Sequence, residues 1–305
     1  MQADRPFLGM LLMVGFCILA PMGDAIAKLL GSVMSVGAMV MIRFGAQALF
    51  LFPLALLFRL PIPVGRRVLS LIAVRTVLHI AGIAMMFSAL KYLPLADALA
   101  IAFVMPFLML LAGWLFLGEE VGPHRLSACA VGFVGTLLVI QPNFAAVGWP
   151  ALLPLGVAVT FVGFMLVTRM MAKDVDPISM QAVSGAMALA VLGPVAIIFP
   201  DWPPLSLDGV GGVGLGMVLA LGLIGTLAHL LMTWSLRFAP SATLAPMQYL
   251  EIPFGTLIGW LIFRDLPNGP AALGISVTIG AGLYIIARER HLSRQPQPGQ
   301  APPAA

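Results

Sequence analysis

Charged residues are scarce in this chain: Asp, Glu, Lys and Arg together make up 9% of its 305 residues. A soluble domain carries about 25% charged residues, so a water-exposed surface over most of the chain is excluded. Hydrophobic residues make up 61% of the sequence, which indicates that lipid surrounds most of it. The composition therefore predicts an integral membrane protein.

Cysteine is also nearly absent, since the sequence has only Cys17 and Cys129, each in an apolar stretch. A disulfide framework is thereby excluded and a cysteine-ligated metal is disfavoured. The sequence contains no H-E-x-x-H zinc motif, no G-x-S-x-G nucleophile motif and no G-x-x-x-x-G-K-[ST] phosphate loop. We expect no metal, no cofactor, no enzymatic activity and no ATP-driven step within this chain.

Apolar segments long enough to cross a bilayer, about 20 residues each, fill most of the chain. Breaking the sequence at charges, Pro and Gly predicts an all-α membrane protein with ten spans, at 7–28, 34–58, 68–90, 95–117, 124–141, 149–170, 177–199, 209–236, 241–263 and 269–287. The tail at 293–305 is rich in Pro, Gln and Ala and is predicted to be a disordered cytoplasmic segment.

The basic residues indicate the orientation of these spans, because cytoplasmic loops are enriched in Lys and Arg. With the N-terminus inside, eleven of them fall on the cytoplasmic side and two, Lys91 and Arg264, on the other. Both termini are therefore predicted to be cytoplasmic. The net charge of +4 reflects topology, and no nucleic-acid partner is expected.

The two halves of the sequence repeat each other. A shift of 146 residues places 89–94 on 235–240 and 113–115 on 259–261, and a shift of 141 places Lys28 on Arg169. The repeats, 7–141 and 149–287, hold five spans each, so the second is predicted to be inverted in the membrane. Inverted repeats are typical of secondary transporters with a site near the midplane; a non-transporting membrane scaffold is the alternative.

The order of several short motifs resembles the EamA-type branch of the drug/metabolite transporter superfamily. The motifs are Asp24–Lys28, Arg43-Phe44, 89–94, Pro106, Gly118–Glu120 and Gly132–Gly135. In addition, 248–251 and 263–267 resemble bacterial S-adenosylmethionine uptake transporters, and riboflavin uptake proteins are also similar. The resemblance implies a bacterial inner-membrane protein with a small-molecule substrate and a cavity lined by spans 1, 3, 4, 6, 8 and 9.

Glu251 is the leading candidate for substrate binding. Placing an ionisable group deep in a membrane costs free energy, so a residue of this kind usually has a function there. Glu251 lies in span 9 between Pro246 and Pro253, and Gln248 shares its face of an α-helix. Tyr249 is a weaker candidate. The alternative role for Glu251 is a tether between helices.

Other candidates are charged or aromatic residues elsewhere in the spans. Asp24 is a predicted substrate contact that shares a helix face with Lys28, either as a coupling pair or as an internal ion pair that lowers the cost of insertion. Arg43 lies deep in span 2 and needs a partner, for which Asp24 is a candidate. Arg75 either couples charge or reaches the membrane surface.

His79 and Trp234 complete the predicted substrate contacts. His79 and His229 lie in equivalent spans of the two repeats, where each acts as a proton relay or as a hydrogen-bonded packing residue. The spacings Gly212-x-x-x-Gly216 and Gly255-x-x-x-Gly259 permit close helix packing, within the bundle or in a homodimer.

Taken together, these patterns predict a secondary transporter that moves a small metabolite by alternating access. An acid on one wall and apolar side chains on the other favour a cationic or aromatic solute such as S-adenosylmethionine over a sugar phosphate. An exporter of amino acids or of other metabolites is the alternative within the same family.

Overall fold

The computed structural model describes residues 5–93, 95–140, 148–198, 211–264 and 269–292, and all regular structure within these ranges is helical. Twelve α-helices occur there: α1 Pro6–Leu30, α2 Val36–Leu57, α3 Arg66–Ala89, α4 Leu95–Ala102, α5 Met105–Leu117, α6 Pro123–Ile140, α7 Leu152–Met171, α8 Pro177–Ile198, α9 Gly211–Phe238, α10 Ser241–Leu244, α11 Glu251–Phe263 and α12 Gly269–Leu292. Short 3₁₀ helices span Trp149–Ala151 and Ala245–Leu250. The predicted disordered tail at 293–305 lies outside the described residues.

Six of the described helices, α1, α2, α3, α7, α8 and α9, have the length and hydropathy to cross a membrane. Two more, α5 and α12, contain shorter apolar helices, at Met105–Leu117 and Ala272–Arg288. The large apolar side chains on the outside of the bundle, such as Leu57, Phe116 and Ile197, suit contact with lipid tails. The protein is therefore a multi-pass membrane protein.

Spans 4 and 9 are broken, although the sequence predicted each as one continuous helix. Span 4 consists of α4 and α5, separated at Phe103 and Val104, and span 9 consists of α10, a 3₁₀ turn and α11. Pro106 in the first turn of α5 and Pro246 in the 3₁₀ turn each lack a backbone N–H. Proline suits the first turn of a helix, where its missing N–H has no intrahelical partner, and both prolines occupy such a position. Pro21, Pro53 and Pro194 lie inside continuous helices, so proline alone does not explain the two breaks.

The backbone repeats at the same spacing as the sequence. Met105 and Glu251, 146 residues apart, are the first residues of α5 and α11. Both helices then end at a left-handed residue, Gly118 (φ 63°, ψ 24°) and Arg264 (φ 62°, ψ 22°). The left-handed conformation is unfavourable for a residue with a side chain such as Arg264. Because Arg264 nevertheless adopts it at the position equivalent to Gly118, the helix end is a shared feature of the two repeats.

Helices of one half pack mainly on helices of the other. The pair α1 and α9 corresponds, when the halves are exchanged, to the pair α7 and α3, and both pairs are in extensive contact. The pairs α2 with α8 and α6 with α12 each map onto themselves under the same exchange. The two halves thus form one interlocked bundle, with a cavity at its centre.

Candidate functional site

The central cavity is lined by residues from both halves, from α1, α2, α3, α4, α5, α7, α9 and α11. Most of the lining is apolar, and the ionisable residues in it are Asp24, Arg43, His79, His229 and Glu251. Its volume is about 90 Å³, whereas small-molecule pockets measure roughly 300–1,000 Å³. A metabolite therefore requires the surrounding helices to move apart.

Glu251 lines the cavity at the break in span 9. It is the first residue of α11, directly after the 3₁₀ turn, and is 6% exposed. Asp24 lines the same cavity from α1. Met105, its counterpart in the first repeat, also lines the cavity. The two broken spans thus present an acid on one side and a thioether on the other.

Gln248 and Tyr249 do not line this cavity, although they neighbour Glu251 in sequence. Both are fully buried in the 3₁₀ turn. The Gln248 amide nitrogen lies 3.3 Å from the sulfur of Met165, and the Tyr249 ring stacks on Phe103 at 5.7 Å between centroids. The face that Gln248 was predicted to share with Glu251 does not bring its amide into the cavity, because that amide contacts Met165 of α7.

Arg43 of α2 lines the cavity and contacts α9. Its Nη2 lies 2.6 Å from Nδ1 of His229, and its guanidinium lies so close to Gly225 that any side chain there would overlap it. Asp24, the partner that the sequence suggested, lines the same cavity. Its Nη1 has no hydrogen-bond partner among the described residues.

Lys28 lies one turn beyond Asp24 and outside the cavity lining. Its Nζ donates to the carbonyl oxygen of Leu93 at 2.8 Å and lies 5.6 Å from the centre of the Phe263 ring. These contacts tie the end of α1 to the loop before α4 and to the end of α11. Lys28 is thus placed to hold one end of the bundle rather than to contact a solute in the cavity.

Arg75 is completely buried, so the expectation that it reaches the membrane surface is wrong. Its guanidinium bonds to side chains on three other helices, Thr168 of α7 at 2.8 Å, Gln181 and Ser184 of α8 at 2.9 and 3.1 Å, and Thr233 of α9 at 3.4 Å. It also lies 4.3 Å from the centre of the Phe164 ring. These neutral oxygens replace water around the cation, and Arg75 lies behind the cavity wall.

Trp234 also lies away from the cavity. It packs against a small group of buried residues formed by Leu51, Ala182 and Leu230. This group joins α2, α8 and α9, so the contribution of Trp234 in this structure is to helix packing.

A cluster of aromatic rings surrounds the two histidines, and we call it the ring cluster. Its members are Phe16, Phe44, His79, Phe161, Phe164 and His229. The imidazoles of His79 and His229 lie 4.3 Å apart at 32°, and Phe164 lies 4.4 Å from His79. Neither ring nitrogen of His79 has a hydrogen-bond partner in the part of the chain that the structure describes.

The phenylalanines of this cluster were missed by sequence reasoning. Phe161 and Phe164 are three residues apart on α7, which places them on one face of that helix. That spacing is the signal available in the sequence, but it is not selective in a chain with 18 phenylalanines.

The profile of the family described as the EamA-like transporter family matches this chain twice, over residues 7–141 and 148–288. The chain belongs to that family. It is 30% identical over 222 residues to a riboflavin transporter of Rhizobium johnstonii, which covers 73% of this chain and 72% of the relative. It is 24% identical over 274 residues to an S-adenosylmethionine uptake transporter of Rickettsia bellii, covering 88% and 89% of the two chains.

A protein of known crystal structure shares the fold of this EamA family member. The match has a TM-score of 0.70 at 20% identity and covers 95% of this chain and 98% of the other. Membership of the family and the apolar helices together establish a membrane transporter rather than an enzyme. Relatives with such different names leave the substrate open, and a shared fold does not fix it.

Proposed function

We propose that this protein is a secondary transporter of the bacterial inner membrane that carries a small metabolite through the central cavity by alternating access. The transport unit consists of two inverted five-helix repeats, 7–141 and 149–287, with spans 4 and 9 each built from broken helices. The reciprocal packing of α1 on α9 and of α7 on α3 supports an exchange of roles between the halves. Broken helices beside a central site are a recurring feature of such transporters.

The position of Glu251 in the cavity is the main support for the proposed class of substrate. A carboxylate at a helix break, in a mostly apolar cavity, is costly to retain and is suited to a polar or cationic group of a solute. Asp24 adds a second carboxylate to the same cavity, and the ring cluster supplies flat aromatic surfaces to its lining. A metabolite with a cationic or polar part and an aromatic part fits both walls.

The names of the two relatives agree with this description. Riboflavin and S-adenosylmethionine share a flat heteroaromatic ring joined to a polar chain, and S-adenosylmethionine is also a cation. We propose a solute of this kind, of which S-adenosylmethionine is one example. Export of a related metabolite through the same cavity is the second candidate, because the cavity between the halves suits movement in either direction.

The test is flux of labelled S-adenosylmethionine and of riboflavin, in both directions, across vesicles that contain the purified protein. Glu251→Gln removes the charge with little change in size. Loss of a charge-assisted hydrogen bond, about 1.5–3 kcal/mol, should raise the concentration of a cationic solute needed for half-maximal flux by roughly 10- to 140-fold. Glu120→Gln, on an exposed acid outside the cavity, is the matched control.

The outcomes separate the alternatives. Unchanged flux and unchanged pH dependence in a well-folded Glu251→Gln protein would make Glu251 a tether between helices. No flux of any metabolite by the unmodified protein would favour a scaffold and overturn the transporter proposal.

A further inference from the structure

We infer that the ring cluster binds a flat heteroaromatic ring of the solute, whose polar edge hydrogen-bonds to His79 and Arg43. The inference rests on the proposed function and assigns the aromatic part of the solute to one wall of the cavity. The acidic residues Asp24 and Glu251 then contact the remainder of the solute.

Unused hydrogen-bonding groups are the first observation. His79 is 2% exposed and lines the cavity, yet neither of its ring nitrogens has a partner among the described residues. Nη1 of Arg43 also has no hydrogen-bond partner among the described residues. Buried polar groups in native proteins are nearly always satisfied, so these atoms call for a partner that enters the cavity.

The chemistry of these atoms limits what that partner is. A neutral imidazole offers one donor and one acceptor, and a guanidinium offers donors alone. A ring edge on which N–H groups alternate with carbonyl oxygens or ring nitrogens satisfies both residues. Pyrimidine-like and purine-like edges have this pattern, whereas a quaternary ammonium group has neither a donor nor an acceptor.

Ring packing is the second observation. Phe16 and Phe161 line the cavity and stack on each other at 5.9 Å, and Phe161 lies 5.7 Å from Phe164. Aromatic rings at these separations favour further offset or edge-to-face contacts. The cluster therefore offers flat surfaces beside the unused nitrogens of His79.

The charges around the cluster limit the charge of the ring. Arg43 bonds to His229, and Arg75 lies against Phe164 on the far side of the cavity wall. A positively charged ring would be repelled by both cations. The ring bound here is therefore neutral, and a cationic centre of the solute lies toward Glu251.

The test uses riboflavin and adenosine as heteroaromatic probes and choline as a cation without a ring. Binding to the purified protein in detergent is followed by quenching of riboflavin fluorescence, and flux by competition in vesicles. His79→Phe keeps a ring of similar shape but removes both nitrogens, and should weaken binding of a heteroaromatic probe about tenfold. His124→Phe, on an exposed histidine of α6, is the matched control and should bind as the unmodified protein does.

A second variant keeps the test decisive if His79→Phe does not fold. Phe161→Leu preserves apolar volume and removes one flat surface, so it should weaken the heteroaromatic probes several-fold and leave any competition by choline unchanged. The inference is overturned if neither heteroaromatic probe binds while another solute is carried, or if folded variants bind them as tightly as the unmodified protein. Absence of all flux would instead count against the proposed function.

Discussion

Arg43 and Arg75 are both buried within the bundle, but their surroundings differ. Arg75 donates to four side chains on three other helices, none of which is acidic. Arg43 has one imidazole partner, its Nη1 has none among the described residues, and Asp24 lines the same cavity. Because buried charges are costly unless compensated, Arg75 acts as a structural tie, whereas Arg43 is available to a solute or to a change in pairing.

Asp24 and Arg43 line the same cavity, and a coupling between them is the residue-scale prediction. Asp24→Asn leaves Arg43 without its acidic neighbour, so the midpoint of thermal unfolding in detergent should fall. Combining it with Arg43→Gln should cost less than the sum of the two single changes, with a coupling of about 0.5–3 kcal/mol. Asp24→Asn with Glu120→Gln is the control, because Glu120 is an exposed acid outside the cavity and its effect should add to that of Asp24→Asn. Additive losses for Asp24 and Arg43 would contradict their pairing.

The ionisable residues that line the cavity could be predicted from the sequence, whereas the aromatic ones could not. Asp24, Arg43, His79 and Glu251 line it, and they were identifiable because ionisable groups are conspicuous in apolar sequence. Phe16, Phe161 and Phe164 were not, since apolar side chains facing lipid, core and cavity look alike in such helices. Gln248 was predicted to share a face with Glu251 and Tyr249 was the weaker candidate, but both pack against other buried residues, Met165 and Phe103.

At the scale of helices, Glu119 joins the end of span 4 to the start of span 9. Its carboxylate accepts from the backbone N–H groups of Ser241 and Ala242 at 3.1 and 2.9 Å and from the Ser241 hydroxyl at 2.5 Å. Arg169 Nε lies 3.4 Å from the same carboxylate. The N–H groups at the start of α10 have no partners within the helix, so an acid from the first half caps a helix of the second.

The sequence alone does not show that Glu119 caps a helix; it shows only that Glu119 has an acidic counterpart in the second repeat. Glu119 aligns with Asp265, and Arg169 aligns with Lys28 under the earlier shift. Asp265 lies outside the described residues. The partners of Glu119 are 122 residues away along the chain, a separation that short-range motifs do not reveal.

Removing this cap gives an element-scale prediction. Glu119→Ala should speed amide hydrogen exchange at the start of α10, because loss of a helix cap costs about 0.5–2 kcal/mol, equivalent to roughly 2- to 30-fold. Exchange measured by mass spectrometry on peptides covering 236–248 reports the change. Glu120→Ala, on the adjacent exposed acid, should leave that exchange as it is. Equal exchange in both variants would mean that the carboxylate does not hold these helices.

At the scale of the whole molecule, the repeat predicts that equivalent loops lie on opposite sides of the membrane. Ser35 caps α2 by accepting from the N–H of Ala38, and Asp176, 141 residues later, caps α8 by accepting from the N–H groups of Ile178 and Ser179. The loops before these caps are therefore equivalent in structure. Their orientation follows from the five predicted spans of each repeat and from the bias of Lys and Arg.

Ser32 and Lys173 are a matched pair for testing this inversion, because they are also 141 residues apart and both are exposed. A membrane-impermeant maleimide applied to intact cells should label Ser32→Cys, whereas Lys173→Cys should react only after the membrane is opened. Cys17 and Cys129 are buried, so background labelling should be low, and the protein without an added cysteine measures it. Labelling of both sites from the same side would contradict the inverted repeat, since equivalent loops would then share a surface. The reverse pattern would keep the inversion but place both termini outside, against the distribution of basic residues.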